Sequence, residues 1–210
     1  MSRGALLLDC DGVIVDSEPA NFAAWDDAFF EVLGRRSDAG PRGAVGLHVD
    51  ECFALWCGEQ TPPADVRAAI IRRKHERYAE LPLPLVPGVE ALIDRARAVG
   101  WPIAIVSGAS PGRVATNLRA AGVGPRVDLI LDGGTTGAKS WALAAERLGV
   151  AVSRCVALDD TTRGVAGARA QGIGRIIGVT TTFGAALLRA AGADATVARP
   201  DEVELDMGRS

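Results

Sequence analysis

The chain has 210 residues, 48% of them hydrophobic and 23% charged, with a net charge of −3. This composition excludes a disordered chain and gives no sign of a nucleic-acid surface, and no apolar run approaches the ~20 residues that a membrane span requires. Four cysteines without C-x-x-C spacing are too sparse for a disulfide scaffold, and the first apolar run is too short for a signal-peptide core, so a cytoplasmic protein with reduced thiols is expected.

Residues 5–8 form a short apolar run without helical spacing, the pattern of a strand buried on both faces. Asp9, Asp11 and Asp16 crowd directly behind it. From 17 to 85 no good strand is legible. Phe22, Trp25, Phe29 and Leu33 recur at helical spacing, Val66, Ile70 and Tyr78 more loosely, and together they predict an all-helical insertion over 17–85. Phe22, Trp25, Phe29, Phe53 and Trp56 are expected to pack its core. Arg72, Arg73, Lys74 and Arg77 read as a solvated basic face, and His48 and His75, which lack metal-ligand spacing, as solvated positions. Pro82, Pro84, Pro87 and Gly88 make a stiff return.

Beyond the insertion, strands are predicted at 103–106, 127–131, 155–158 and 176–179. Between them lie helical runs marked by Val89, Leu92, Ile93 and Ala96, by Val114 and Leu118, and by Trp141, Ala145 and Leu148. Gly100, Gly122, Gly149 and Gly172 stand where left-handed helix caps are wanted. Ser110 and Pro111 are expected to start a helix, the serine side chain capping it. Strands alternating with helices imply an α/β protein with a doubly wound parallel sheet, its core formed by 1–16 and 86–210.

In such a sheet ligands bind beyond the carboxyl ends of the strands. The residues found there are Asp9 and Asp11, Ser107 and Gly108, Lys139, and Asp159 with Asp160. Clustered carboxylates need a cation to stay ionised, and a hard oxygen-ligand site with an open side suits Mg2+ with a substrate phosphate. Lys139 and Ser107 suit the remaining phosphate oxygens, so the set reads as a phosphoryl-transfer site.

These strings carry a resemblance. "DCDGVIVDSE" is similar to the D-x-D-G first motif of the haloacid dehalogenase-like superfamily, in the branch with a helical cap inserted after the first strand. "IVSGAS" resembles the second motif, Lys139 the third and "LDDTTRG" the fourth, and the resemblance runs from Leu6 to about Val197. It implies a Rossmann-like core with a helical cap, Asp9 as nucleophile forming an aspartyl-phosphate, and Asp11 as acid and base. It further implies Mg2+ held by Asp9, the Asp11 carbonyl and Asp160, with Asp159 as an additional ligand, and a cap hinge at Asp16 and Ser17. Two departures stand out. Where the family has Lys-Pro and a longer stretch, this chain reads "GAKSWALAAERLG", with Ser140 after the lysine and only Arg113 and Arg126 as other basic residues nearby. Cys10 also takes a position often filled by a bulkier apolar residue.

Within the resemblance, Asp11 argues against dehalogenation, and the absence of lysine from 17 to 60 argues against a Schiff-base hydrolase. Asn21 stands where sugar-phosphate mutases carry a cap histidine. The expectation is a Mg2+-dependent phosphatase acting on a small phosphorylated metabolite that a helical cap can enclose. A mutase of the beta-phosphoglucomutase type and a non-catalytic binding protein on the same fold are the alternatives.

Overall fold

A computed structural model describes residues 4–36, 49–136 and 139–205; His48 lies outside them. The chain divides into two compact units, Met1–Asp16 with Leu83–Ser210, and Ser17–Pro82. In chain order, strand β1 (Ala5–Leu8) is followed by helices α1 (Glu18–Leu33), α2 (Val49–Cys57) and α3 (Ala64–Glu80) of the second unit. The first unit resumes with α4 (Val89–Ala98), β2 (Ile103–Val106), α5 (Pro111–Ala121), β3 (Leu129–Leu131) and the short α6 (Gly133–Thr136). It continues through α7 (Trp141–Arg147), β4 (Cys155–Asp159), α8 (Thr162–Ala170), β5 (Arg175–Val179), α9 (Ala185–Ala190) and β6 (Ala195–Val197).

The strands form one parallel sheet in the order β3-β2-β1-β4-β5-β6. Side chains alternate across it, because successive residues of a strand point to opposite faces. Leu6, Leu8, Ile103, Ile105, Val156 and Leu158 pack on one face with Leu92 and Ile93 of α4 and Val114 and Leu118 of α5. Ala5, Leu7, Ala104, Val106, Cys155 and Ala157 pack on the other with Trp141, Val165 and Leu188. Every residue of β1 is fully buried, so its unbroken apolar run is what a central parallel strand requires. The strand order reverses between β1 and β4, which opens a crevice at their carboxyl ends.

Two differences from the sequence reading have local causes. Strand β3 begins at Leu129 rather than 127 because Asp128 closes the ladder instead of joining it. Its N–H donates to the Ile103 carbonyl and its Oδ2 accepts the Ile103 N–H, both at 2.8 Å. Asp194 repeats the device on Ile176, at 2.8 and 2.7 Å, ahead of β6. That last strand is unexpected, being three half-buried residues on a sheet edge, too few to show a period. Gly100, Gly122, Gly149 and Gly172 do adopt positive φ, from 67° to 77°, as the helix ends demand.

In the helical unit, Trp25, Phe29, Phe53 and Trp56 are buried, with tilted and edge-on ring pairs 5.0 to 6.2 Å apart; Phe22 is only half-buried. The basic face is not uniformly solvated. Arg73 and Arg77 pair with Glu31, and His75 is exposed. Lys74, however, is 3% exposed, with its ammonium 5.4 Å from the Trp25 ring and 4.9 Å from that of Tyr78. It shares an inward helical face with Ile70 and Tyr78 at four-residue spacing, and ring faces stabilise an ammonium. No disulfide joins the four cysteines, all buried, and no helix among the described residues is long and apolar enough to cross a membrane.

Truncating the centre of the sheet tests this arrangement. Leu7→Ala should cost roughly 2 to 5 kcal/mol, because neighbours on both sides hold the cavity open. A denaturant midpoint that falls with an unchanged slope is the expected reading.

Candidate active site

Strands β1 and β4 end side by side, so that Asp9, the residue after β1, and Asp159, the last residue of β4, reach the crevice. Asp9 is 3% exposed, Asp159 fully buried and Asp160 2% exposed, and each offers an oxygen within 4.8 Å of the others. The Lys139 ammonium donates to Asp9 Oδ2 and to Asp159 Oδ2, both at 2.6 Å. Asp9 Oδ1 accepts the Cys10 N–H at 2.8 Å, while Asp159 Oδ1 accepts from both the N–H and the hydroxyl of Thr161. Asp160 Oδ1, in contrast, is buried with no hydrogen-bond partner.

The charges explain the titration behaviour. Burial pushes the Asp9 carboxyl up to about 7; Lys139 opposes the shift, and Asp159 and Asp11 reinforce it. Asp160 is driven well above the ordinary carboxylate range by burial and then by Asp159 and Asp9. Burial works against the Lys139 ammonium, but Asp159 and Asp9 outweigh it and raise its pKa. Three buried carboxylates thus face one ammonium, and at Asp160 the Thr182 hydrogen bond and the Lys139 charge fall short of burial, with Oδ1 left without a partner. Hard, clustered and partly unpaired oxygens fit a divalent cation such as Mg2+.

The loop after β1 is held close. Gly12 turns at φ 74°, its N–H donating to the Val15 carbonyl at 2.8 Å, and a Cβ there would stand 1.9 Å from Asp160 Oδ2. Only glycine fits both demands. Thr181, just past β5, donates its hydroxyl to the Gly12 carbonyl at 2.6 Å.

Ser107 and Gly108 follow β2. Ser107 is 2% exposed and its Oγ accepts the Ala109 N–H at 3.1 Å. Gly108 lies alongside Lys139, whose Cγ would be 3.7 Å from a Cβ at that position. Ser110 and Pro111 begin α5 as expected, but the Ser110 side chain makes no capping hydrogen bond; it is exposed, where water can serve the first helical N–H groups. Asp16 and Ser17 fall on either side of the boundary between the units. The Asp16 N–H donates to the Pro84 carbonyl at 2.8 Å, and Ser17 is fully buried at the start of α1.

The shortened segment around Lys139 is held by Trp141, already legible as an apolar residue of its helix, and by Gln171, which sequence reading missed. Trp141 is fully buried against the sheet, anchoring α7 two residues past the lysine. Gln171, just past α8, accepts the Ala142 N–H at 2.9 Å and donates to the Lys139 carbonyl at 3.2 Å. A buried Trp after a lone Lys was the available signal; nothing local marks Gln171. The two alternative basic residues have other partners. Arg126 is half-buried and pairs with Glu90 and Asp94 on α4. Arg113 does enter the site, but at Asp11 rather than at Asp9: its Nε and Nη2 donate to Asp11 Oδ1 at 3.1 and 2.8 Å. Asn117, fully buried one turn further along α5, donates to the same oxygen at 2.8 Å.

Known proteins share this plan. The sequence pattern of the haloacid dehalogenase-like hydrolases matches residues 4–172. The plasmid-borne protein CbbY of Cupriavidus necator is 33% identical over 86% of this chain and 80% of its own, and hexitol phosphatase A of Escherichia coli is 30% identical over 79% and 78%. A hydrolase of the same family from Deinococcus radiodurans, solved with bound phosphate and sodium, superimposes with a TM-score of 0.76 at 26% identity, covering 95% of this chain and 93% of that one. The strand order, the four strand-end segments and these similarities together make the chain a member of the haloacid dehalogenase-like hydrolase family.

Proposed function

We propose that this hydrolase is a Mg2+-dependent phosphatase that cleaves a small phosphomonoester through an aspartyl-phosphate on Asp9. The observation that carries the reading is the Lys139 ammonium bridging Asp9 and Asp159 at 2.6 Å beside the unpartnered Asp160 Oδ1. An Asp9 oxygen attacks phosphorus while the ester P–O bond breaks, and Asp11 gives its proton to the departing oxygen. Asp11 then takes a proton from a water whose oxygen attacks phosphorus, the bond to Asp9 breaks, and inorganic phosphate leaves. Lys139, Ser107 and Gly108 receive the phosphate oxygens, and Asp159 keeps Lys139 aimed at the nucleophile. Asp9, Asp160 and the Asp11 carbonyl, with Asp159 beside them, are the groups that would hold Mg2+, which supplies charge neutralisation for one anion approaching another. The 17–82 helical unit is the cap of this reading, with Asp16 and Ser17 at its hinge. Sugar and sugar-alcohol phosphates are the first candidate substrates, a reading supported by the names of two relatives, hexitol phosphatase A and a phosphorylated carbohydrates phosphatase.

Phosphate release from a panel of such esters tests the reading. Activity should require Mg2+, vanish with EDTA and return on adding Mg2+ back. Asp9→Asn should abolish release, and Asp11→Asn should lower kcat on alkyl phosphates by roughly 10² to 10⁴-fold. Retained turnover in Asp9→Asn would refute the aspartyl-phosphate.

Stability gives a second, activity-independent check. Because burial raises Asp9 above the usual carboxylate value, its folded-state penalty is absent in acid, grows as pH rises from the ordinary 3.8 to about 7 and levels off above that. Metal-free protein should therefore lose melting temperature between about pH 4 and about pH 7. Mg2+ should raise it more at the higher pH, by an amount that grows with the logarithm of its concentration and shrinks in Asp160→Asn.

A further inference from the structure

On the reading of Asp11 as acid and base, we infer that Arg113 is the positioning residue for its carboxyl group, acting with Asn117 as a fork that fixes the orientation of that group. Three N–H donors converge on one oxygen: Arg113 Nε at 3.1 Å, Arg113 Nη2 at 2.8 Å and Asn117 Nδ2 at 2.8 Å all reach Asp11 Oδ1. A carboxylate on a loop can rotate about two side-chain bonds, and a single contact leaves that rotation open. Donors arriving from two side chains hold Oδ1 and set the plane of the carboxyl group.

The sequence makes the fork possible because positions 113 and 117 are one helical turn apart on α5 and so share a face. Arg113 and Asp11 are each only 17% exposed at the side chain, so the pair is shielded enough to hold its geometry. Asn117 is fully buried and its Nδ2 also lies 3.7 Å from Cys10 Sγ, so the amide is held from behind by the residue between the two aspartates. The small thiol at position 10 leaves room for that approach. The same helix follows directly from Ser107 and Gly108, so the phosphate loop and the acid are set by one rigid element. Arginine suits the task because its planar donors engage at a fixed angle, whereas a lysine would bring one mobile point charge.

The role is separable from plain structural support through the leaving group. A well-placed acid matters when the departing oxygen is strongly basic and little when it departs easily, so the probes are β-glycerophosphate and p-nitrophenyl phosphate. Arg113→Ala should lower kcat on β-glycerophosphate about tenfold or more beyond its loss on p-nitrophenyl phosphate, in keeping with the steep cost of misplacing a reacting group. KM should stay near the parent value, and Arg113→Lys should recover only part of the loss. Added to Asp11→Asn, Arg113→Ala should cause no further loss, since it acts through the group already removed. Equal losses on both esters, or no loss, while Asp11→Asn shows the leaving-group dependence, would overturn the fork alone. Absence of that dependence in Asp11→Asn itself would overturn the acid role and the fork with it. Melting temperatures of all variants identify any that fail to fold, and Arg113→Gln, which keeps the bulk without the fork, then serves in place of Arg113→Ala.

Discussion

The rest of the structure is organised around a charge imbalance: Asp9, Asp159 and Asp160 end up buried within reach of one another, and Lys139 is the ammonium that bonds two of them. Burying like charges is among the costliest things a fold can do, and here the parallel sheet imposes it, because β1 and β4 are neighbours, Asp9 directly follows β1 and Asp159 ends β4. Lys139 offsets one charge and Thr161 satisfies the rest of Asp159. What is left over, the raised Asp9 and the unpartnered Asp160 oxygen, is the part of the imbalance that a cation and a phosphate can use together.

The sheet was legible where burial is complete on both faces. The runs at 5–8, 103–106 and 155–158 coincide with central strands because a fully buried parallel strand has no polar alternation to disguise it. Edges were not legible for the converse reason. Strand β6 is short and half-exposed, and the start of β3 was misjudged because Asp128 lends its side chain to the ladder from outside the strand. The solvated reading of Lys74 failed similarly: helical spacing showed a basic face, yet Ile70 and Tyr78 one turn to either side turn that lysine inward.

For the candidate site, strand ends were a good guide to which residues gather and a poor guide to how they pair. Asp9, Lys139, Asp159 and Asp160 come together as their order along the chain suggests. Arg113 was weighed only as a substitute for Lys139, whereas α5 docks so that its guanidinium meets Asp11. Which anion a helix-borne cation reaches depends on the rotation of the helix on the sheet, and that is set by Val114 and Leu118 packing on Leu6 and Leu8 and their neighbours. The polar pairing is therefore a by-product of apolar packing and cannot be read from the polar residues alone.

The segment around Lys139 carries the same lesson further. A shortened stretch and a serine in place of proline leave a loop with little stiffness of its own, yet the ammonium still lies 2.6 Å from both carboxylates. Its position is set from three directions. Trp141 fixes the backbone from beneath by burying a large ring on the sheet, a contribution of several kcal/mol in its own right at about 25 cal/mol per Å². Gln171 closes the loop from the side by satisfying one N–H and one carbonyl that would otherwise need water. Asp9 and Asp159 then draw the side chain forward. The first two constraints involve no net charge and act on the backbone, whereas the electrostatic attraction acts on the side chain. The proposed chemistry asks for one amine at one point, and a buried Trp with a bridging amide holds the backbone that carries it.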